Sequence, residues 1–130
     1  MIRFCCAAAL IAVSLISAHD VVAQTATSID VTLSEYAVTP GELDLKSGTT
    51  YRMHIVNNGS KGHNFSAPEF FSVSQVASED QPKVADGLVE LENGQSVDIT
   101  VTPGRPGTFA AECTHFMHKM MGMHATIVVQ

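Results

Sequence analysis

The chain has 130 residues and carries 7 Lys and Arg against 13 Asp and Glu, a formal net charge of −6. This length suits one compact domain, and the lack of any basic cluster argues against nucleic-acid binding. The acidic residues are scattered along the chain, so their charge serves solubility or docking to a basic surface.

The first residues have the pattern of a secretory signal peptide. Arg3 gives a positive start, residues 4–18 are almost wholly apolar or small, and Val21 and Ala23 suit the −3 and −1 positions of a cleavage site. We therefore expect residues 1–23 to be a signal peptide and residues 24–130 to be the mature domain, exported to the periplasm. Ala18 is a second candidate for the −1 residue. Because the apolar run is short for a membrane span, we expect none in the mature form, with an uncleaved anchor as the alternative.

Cleavage at this site would leave a single thiol in the domain. Cys5 and Cys6 would be removed, and Cys113 would remain. An exported chain with one Cys forms no internal disulfide, and a free thiol is prone to oxidation in that compartment. Burial or a bound metal would each protect the thiol of Cys113.

Short β-type segments separated by turn signals follow in chain order. Alternating or β-rich residues predict strands over 29–33, 43–45, 49–56, 63–66, 88–91, 96–101, 108–113 and 124–129. The Asn93-Gly94 turn predicts that the two strands on either side of it pair as a hairpin. Residues 69–87 show no regular alternation and are predicted to form an irregular connection, with a helical turn beginning near Ser78. Seven to eight strands with little helix predict an all-β fold, an antiparallel Greek-key β-sandwich.

Residues 112–123, ECTHFMHKMMGM, concentrate metal donors near the C-terminus. They include one Cys, two His and four Met. Thiolate, imidazole and thioether donors together suit copper, which cycles between Cu(II) and Cu(I). An electron-transfer site of this kind uses two imidazoles, one thiolate and a weak axial thioether. Cys113, His118 and Met123 follow at intervals of five residues, and His63 is the best upstream candidate for the second imidazole.

These residues resemble the cupredoxins, the blue copper family that includes azurin, plastocyanin and rusticyanin. The resemblance is carried by Gly62-His63-Asn64-Phe65 and by the spacing Cys113-x4-His118-x4-Met123, and it extends over about residues 29–129. It implies one copper ion with His63, Cys113 and His118 as equatorial ligands and Met123 as the axial ligand. It also implies that Asn64 hydrogen-bonds to the segment that bears the Cys.

Other donors in the loop leave alternatives open. His115 could form a Cys-x-His chelate with Cys113, and Met120 or Met121 could also contact the copper. Phe116 and the remaining Met residues are expected to form an exposed apolar rim. Zinc is less suited to the set, since thioether is a poor zinc ligand.

The resemblance implies a one-electron carrier rather than an enzyme. We expect a monomer that exchanges electrons with redox proteins docking near His118. The alternative is a protein for copper resistance, storage or delivery, which the Met-rich loop favours. A multicopper oxidase or nitrite reductase would need further copper centres, for which a mature domain of 130 − 23 = 107 residues has no room.

Overall fold

The structure, a computed structural model, describes residues 25–130. The predicted signal peptide, residues 1–23, therefore lies outside the described residues. The described strands are β1 Thr27–Ser34, β2 Ala37–Thr39, β3 Glu42–Leu45, β4 Tyr51–Asn57, β5 His63–Ser66, β6 Ser74–Val76, β7 Leu88–Leu91, β8 Ser96–Pro103, β9 Gly107–Glu112 and β10 His124–Val129. The helical segments are α1 Pro68–Ser72 and two single 3₁₀ turns, Gln81–Lys83 and Lys119–Met121.

The strands form two five-stranded sheets that enclose one core. One sheet has the order β2-β1-β4-β8-β6, and the other has the order β3-β10-β9-β5-β7. This arrangement confirms the predicted all-β sandwich. The described strands number ten, however, and two of the pairings are parallel, β1 with β4 and β10 with β3. The added strands β2 and β6 are three-residue strands at sheet edges, too short to show an alternating pattern.

The core follows from period-two alternation along the strands. In β4, Tyr51, Met53 and Ile55 are buried while Arg52 is exposed, because successive side chains point to opposite faces of a sheet. Each large apolar side chain fully buried in this way contributes about 1.5–3 kcal/mol. Fully or nearly fully buried residues from both sheets include Val31, Leu33, Ile99, Val101, Phe65, Leu91, Phe109 and Ile127.

The predicted hairpin between β7 and β8 is wrong. The turn itself is present, since the Gln95 N–H donates to the Glu92 carbonyl at 3.1 Å and Gly94 has a φ of 74°. However, β7 pairs with β5 in one sheet and β8 pairs with β4 and β6 in the other. The chain therefore passes from one sheet to the other between β7 and β8. The buried side-chain amide of Asn57 holds this connection, since its Nδ2 lies 3.0 Å from the Leu91 carbonyl and 3.2 Å from the Glu92 carbonyl.

The connection between β5 and β7 contains only short elements, namely α1, the edge strand β6 and one 3₁₀ turn. Pro68 begins α1, whose Phe70 and Phe71 are buried. The helical turn expected near Ser78 lies slightly later, at Gln81–Lys83, directly after the buried Asp80. Across residues 25–130, none of the helices has the length and apolar character needed to span a membrane.

The topology brings the predicted donors to one end of the second sheet. His63 is the first residue of β5, and β5 pairs with β9. The strand β9 ends at Glu112, directly before Cys113, and β10 begins at His124, directly after Met123. The donor-rich loop therefore connects two antiparallel neighbours beside the start of β5.

Candidate metal centre

Three predicted donor atoms converge in the described part of the chain. The Cys113 Sγ lies 3.4 Å from the His118 Nδ1 and 4.0 Å from the His63 Nδ1, and the two Nδ1 atoms are 3.2 Å apart. Among residues 25–130, these three form the group of His, Cys and carboxylate side chains whose donor atoms lie close enough together to hold one metal ion. Nitrogen and sulfur bind an ion of zinc or copper size at about 2.0–2.3 Å, so one ion can contact all three atoms.

Met123, the predicted axial donor, is fully buried and is tied to the same residues through its backbone. Its N–H donates to the His118 carbonyl at 3.1 Å, and its carbonyl accepts from the Cys113 N–H at 3.1 Å. Gly122 directly before it has a φ of 104°, in the left-handed region where a side chain would be strained. The loop therefore closes on itself around the three converging donors.

Asn64 joins β5 to the residue that follows Cys113. Its Nδ2 donates to the Thr114 hydroxyl at 2.8 Å, and its Oδ1 accepts from the Thr114 N–H at 2.9 Å. The same Nδ2 also donates to Glu90 at 3.0 Å. Because Asn64 and His63 are adjacent in β5, this clamp fixes the distance between the two segments that supply the donors.

Glu35, which the sequence interpretation missed, binds the outer nitrogen of His63. The His63 Nε2–H donates to the Glu35 carboxylate at 3.0 Å. Burial raises the pKa of Glu35, but the hydrogen bonds from His63 and from the Lys61 and Ser60 N–H groups lower it, and the net shift is downward. Glu35 follows β1 and lies 28 residues from His63, so no local pattern links the two.

The ring of His118 lies between two other rings. The Tyr36 ring is on one side at 4.9 Å between centroids, and the His115 ring is stacked at 5.3 Å with an interplanar angle of 26°. Burial lowers the pKa of His118, electrostatic repulsion from the neighbouring basic groups of His63, His115 and Lys61 lowers it further, and Glu35 partly opposes this. The net downward shift favours the neutral ring, whose Nδ1 can donate a lone pair to a metal.

His115 itself points to a different partner. Its Nε2 lies 2.6 Å from Glu90, and His115 is not among the three residues whose donor atoms converge. Glu90 was also missed by the sequence interpretation, yet it contacts both His115 and Asn64. Together these residues brace the start of the loop from its outer side.

The donor set fits copper. Cys113 and His63 are fully buried and His118 nearly so, so the thiolate and both imidazoles are shielded from water. The Glu35 contact places the proton of His63 on Nε2 and leaves a lone pair on Nδ1. Soft thiolate together with imidazole nitrogen, beside a buried Met, is the set that suits copper rather than a hard cation.

Exposed apolar side chains lie on the loop that carries Cys113 and His118. Among the described residues, the large hydrophobic side chains that are exposed all belong to this loop: Phe116, Met117, Met120 and Met121. Phe116 is 89% exposed and Met120 is 82% exposed. We call these four side chains the apolar rim, and they agree with the rim expected from the sequence.

One known protein family shares this sequence pattern. The sequence model of the cupredoxin-like domain family matches residues 6–129. The chain belongs to this family. The resemblance drawn from the ligand motifs is thereby confirmed, and the family and the donor set together give this cupredoxin a single type 1 copper ion as its cofactor.

Solved structures with the same fold include several copper proteins. Reduced auracyanin from Roseiflexus castenholzii gives a TM-score of 0.59 at 21% identity, covering 81% of this chain and 98% of that chain. Auracyanin A, a blue copper protein from Chloroflexus aurantiacus, gives 0.57 at 20% identity, covering 82% and 100%. The multicopper oxidase McoA from Aquifex aeolicus gives 0.62 at 18% identity, covering 81% of this cupredoxin and 29% of the oxidase. No curated protein sequence matches the chain significantly.

Proposed function

We propose that this cupredoxin is a periplasmic one-electron carrier that holds copper through His63, Cys113 and His118, with Met123 as the weak axial ligand. The observation that carries the proposal is the convergence of two imidazole nitrogens and one sulfur within 4.0 Å of one another. When bound, copper exchanges one electron by passing between Cu(II) and Cu(I).

The protein's part in this function is to hold the donors in one arrangement. The Asn64 clamp fixes the loop to β5, and the Met123 backbone ties the two ends of the loop together. Rigid donors keep the same positions in both oxidation states, so little structure has to rearrange when an electron moves.

The test is the visible spectrum of the mature protein after addition of Cu(II). We expect an intense thiolate-to-copper band, which Cys113→Ser abolishes. Met123→Ala should keep the band and shift the reduction potential, since an axial thioether tunes the site without forming its main bonds. A band that survives in Cys113→Ser would refute the assignment.

The apolar rim supports a docking role for the loop that carries His118. Exposed apolar patches commonly mark protein–protein contacts, and we propose that exported redox proteins dock there to a monomeric carrier. Phe116→Glu should slow electron self-exchange, measured by NMR line broadening, because it places charge in the contact. The reduction potential should change little, and an unaltered self-exchange rate would argue against docking at the rim.

Export rests on the N-terminal pattern. We propose that residues 1–23 are removed and residues 24–130 form the copper domain. Mass spectrometry of the protein from a periplasmic extract measures the cleavage site directly. A mature N-terminus at Gln24 supports the proposal, and an uncleaved chain in the membrane fraction contradicts it.

No transformation of a substrate is proposed. The chain corresponds to 29% of the McoA oxidase. Within residues 25–130, the converging His and Cys donors form one cluster, whereas a multicopper oxidase needs several copper centres.

A second candidate function is copper handling, and the exposed thioethers favour it. Met117, Met120 and Met121 present soft sulfur donors at the surface, and soft donors select Cu(I). Changing all three to Leu removes the sulfur while keeping an apolar rim. If the protein delivers copper, this variant should pass Cu(I) to a chelating acceptor much more slowly than the control Phe116→Leu. Equal transfer rates would leave electron transfer as the function.

A further inference from the structure

A single carboxylate oxygen holds the outer side of the buried ligand His63. The Glu35 Oε1 accepts hydrogen bonds from the His63 Nε2–H at 3.0 Å, the Ser60 N–H at 2.8 Å and the Lys61 N–H at 3.0 Å. The His63 side chain is fully buried, whereas the Glu35 side chain is 26% exposed. In the described part of the chain, His63 is the one group within ion-pair distance of Glu35.

We propose that Glu35 is a charged positioning residue for the copper centre: it fixes the tautomer of His63 and lowers the reduction potential by favouring Cu(II). This inference rests on the proposed function, because it concerns the same copper site. It adds a residue that comes from the other sheet, since Glu35 directly follows β1 while His63 begins β5.

The tautomer follows from the chemistry of the contact. An ionised carboxylate accepts hydrogen bonds and donates none, and a neutral imidazole carries its proton on one nitrogen. The Glu35 contact therefore places the proton on Nε2 and leaves the Nδ1 lone pair facing the Cys113 Sγ and the His118 Nδ1. A carboxylate in this position also raises the basicity of the metal-binding nitrogen.

Gly59 packs directly against the hydrogen bond between Glu35 and His63. A Cβ at position 59 would lie 2.6 Å from the Glu35 Oε1 and 2.7 Å from the His63 Nε2, so any side chain there would separate the pair. Asn57 fixes this stretch from the inner side, since its Oδ1 accepts from the Gly59 N–H at 2.9 Å and its Nδ2 donates to the Lys61 carbonyl at 2.8 Å. The backbone thus leaves room for the contact and holds both of its sides.

The charge of Glu35 acts on the two oxidation states unequally. A nearby negative charge stabilises Cu(II) more than Cu(I), because Cu(II) carries the larger positive charge. Loss of the charge should therefore weaken Cu(II) binding more than Cu(I) binding and raise the reduction potential. A tenfold difference between the two losses corresponds to about 59 mV for one electron.

The experiment compares Glu35→Gln, Glu35→Ala and the control Asp44→Asn in the copper-loaded mature protein. Gln keeps an oxygen acceptor for His63 but removes the charge, whereas Ala removes both. Asp44 is exposed on β3 and pairs with Val128, four residues along β10 from its start beside the site, so Asn there removes an equal charge at a distance. The readouts are the reduction potential by voltammetry and the Cu(II) and Cu(I) affinities by chelator competition.

We expect both Glu35 variants to have a higher potential than wild type, with Asp44→Asn close to wild type. Glu35→Ala should also bind Cu(II) about 10–100-fold more weakly, and Glu35→Gln should lose less because its oxygen still orients His63. Gly59→Ala, which leaves the charge in place but displaces the pair, should reproduce the loss of affinity. If Glu35→Ala does not fold, the reduction potential of Glu35→Gln alone tests the proposal.

Potentials and affinities of both Glu35 variants equal to those of Asp44→Asn would overturn the proposal. That outcome would leave the copper assignment intact, provided that the wild-type protein shows the thiolate-to-copper band. A wild-type protein without the band would instead refute the proposed function itself.

Discussion

His115 is the residue whose role the sequence left most open, because it stands two positions after Cys113 and could have formed a chelate with it. In the structure its Nε2 contacts Glu90 and its ring stacks on that of His118. We therefore expect His115→Asn to keep the thiolate-to-copper band at close to wild-type intensity, measured by absorption after Cu(II) loading. His118→Asn is the matched comparison and should lose the band. A similar loss of the band in His115→Asn would instead support a chelate formed by Cys113 and His115.

Asp80 gives a prediction on pH. Burial raises the pKa of Asp80, but the Lys83 ammonium and the Thr100 N–H, which donates at 2.8 Å, lower it, and the net shift is downward. A carboxylate with a lowered pKa in the folded state adds stability that is present above the unfolded pKa of about 3.9 and is lost as the pH falls through the folded value.

Asp80→Asn should accordingly lower the free energy of unfolding by about 1–3 kcal/mol at pH 7. The difference from wild type should shrink as the pH is lowered below about 4. Urea unfolding at a series of pH values measures both effects, with the exposed neighbour Glu79→Gln as control. A constant difference across this range would show that the charge of Asp80 does not contribute.

At the scale of elements, Asn57 holds the connection that passes from β7 in one sheet to β8 in the other. Its side chain is fully buried and hydrogen-bonds with the backbone of Gly59, Lys61, Leu91 and Glu92. Asn57→Ala would remove the side-chain partner of two buried backbone groups, the Leu91 carbonyl and the Gly59 N–H, at about 1–3 kcal/mol for each unsatisfied group. We expect a loss of about 2–4 kcal/mol in the free energy of unfolding, measured by urea denaturation. Asn58→Ala, at an exposed position, should change stability little.

Most of the strands could be predicted, except the three-residue edge strands β2 and β6, but the pairing of the strands could not. Alternation marks a strand such as β4 because one face of it is buried, and that signal is local. The sheet to which a strand belongs is set by packing between residues far apart in the sequence. The Asn93-Gly94 turn therefore predicted a chain reversal correctly, but it predicted a β7–β8 pairing wrongly. For the same reason, the donors within one loop could be recognised from their spacing, whereas Glu35 could not be linked to His63 without the topology.

At the scale of the whole molecule, the proposed copper site connects the two halves of the sandwich. His63, Cys113 and His118 belong to one sheet and its loop, and Glu35 extends from the other sheet. A ligand that binds only the folded state stabilises it by about 4.1 kcal/mol at a free concentration of 1,000 times its Kd. We therefore expect Cu(II) to raise the melting temperature of the apoprotein, measured by calorimetry.

Cys113→Ser is the control for this stabilisation. Serine is close in size to cysteine but is a much poorer donor for copper, so the variant should show little increase on addition of Cu(II). An equal increase in the variant would mean that the stabilising ion binds somewhere else on the molecule.

The apolar rim also determines where chemical damage would begin. Oxidants convert exposed methionine to its sulfoxide, a polar and chiral group, and Met120 is 82% exposed whereas Met53 and Met123 are fully buried. Peroxide would therefore turn the rim hydrophilic while the interior thioethers stayed reduced. Such a molecule would keep its buried metal ligands yet lose the apolar surface that we propose for docking.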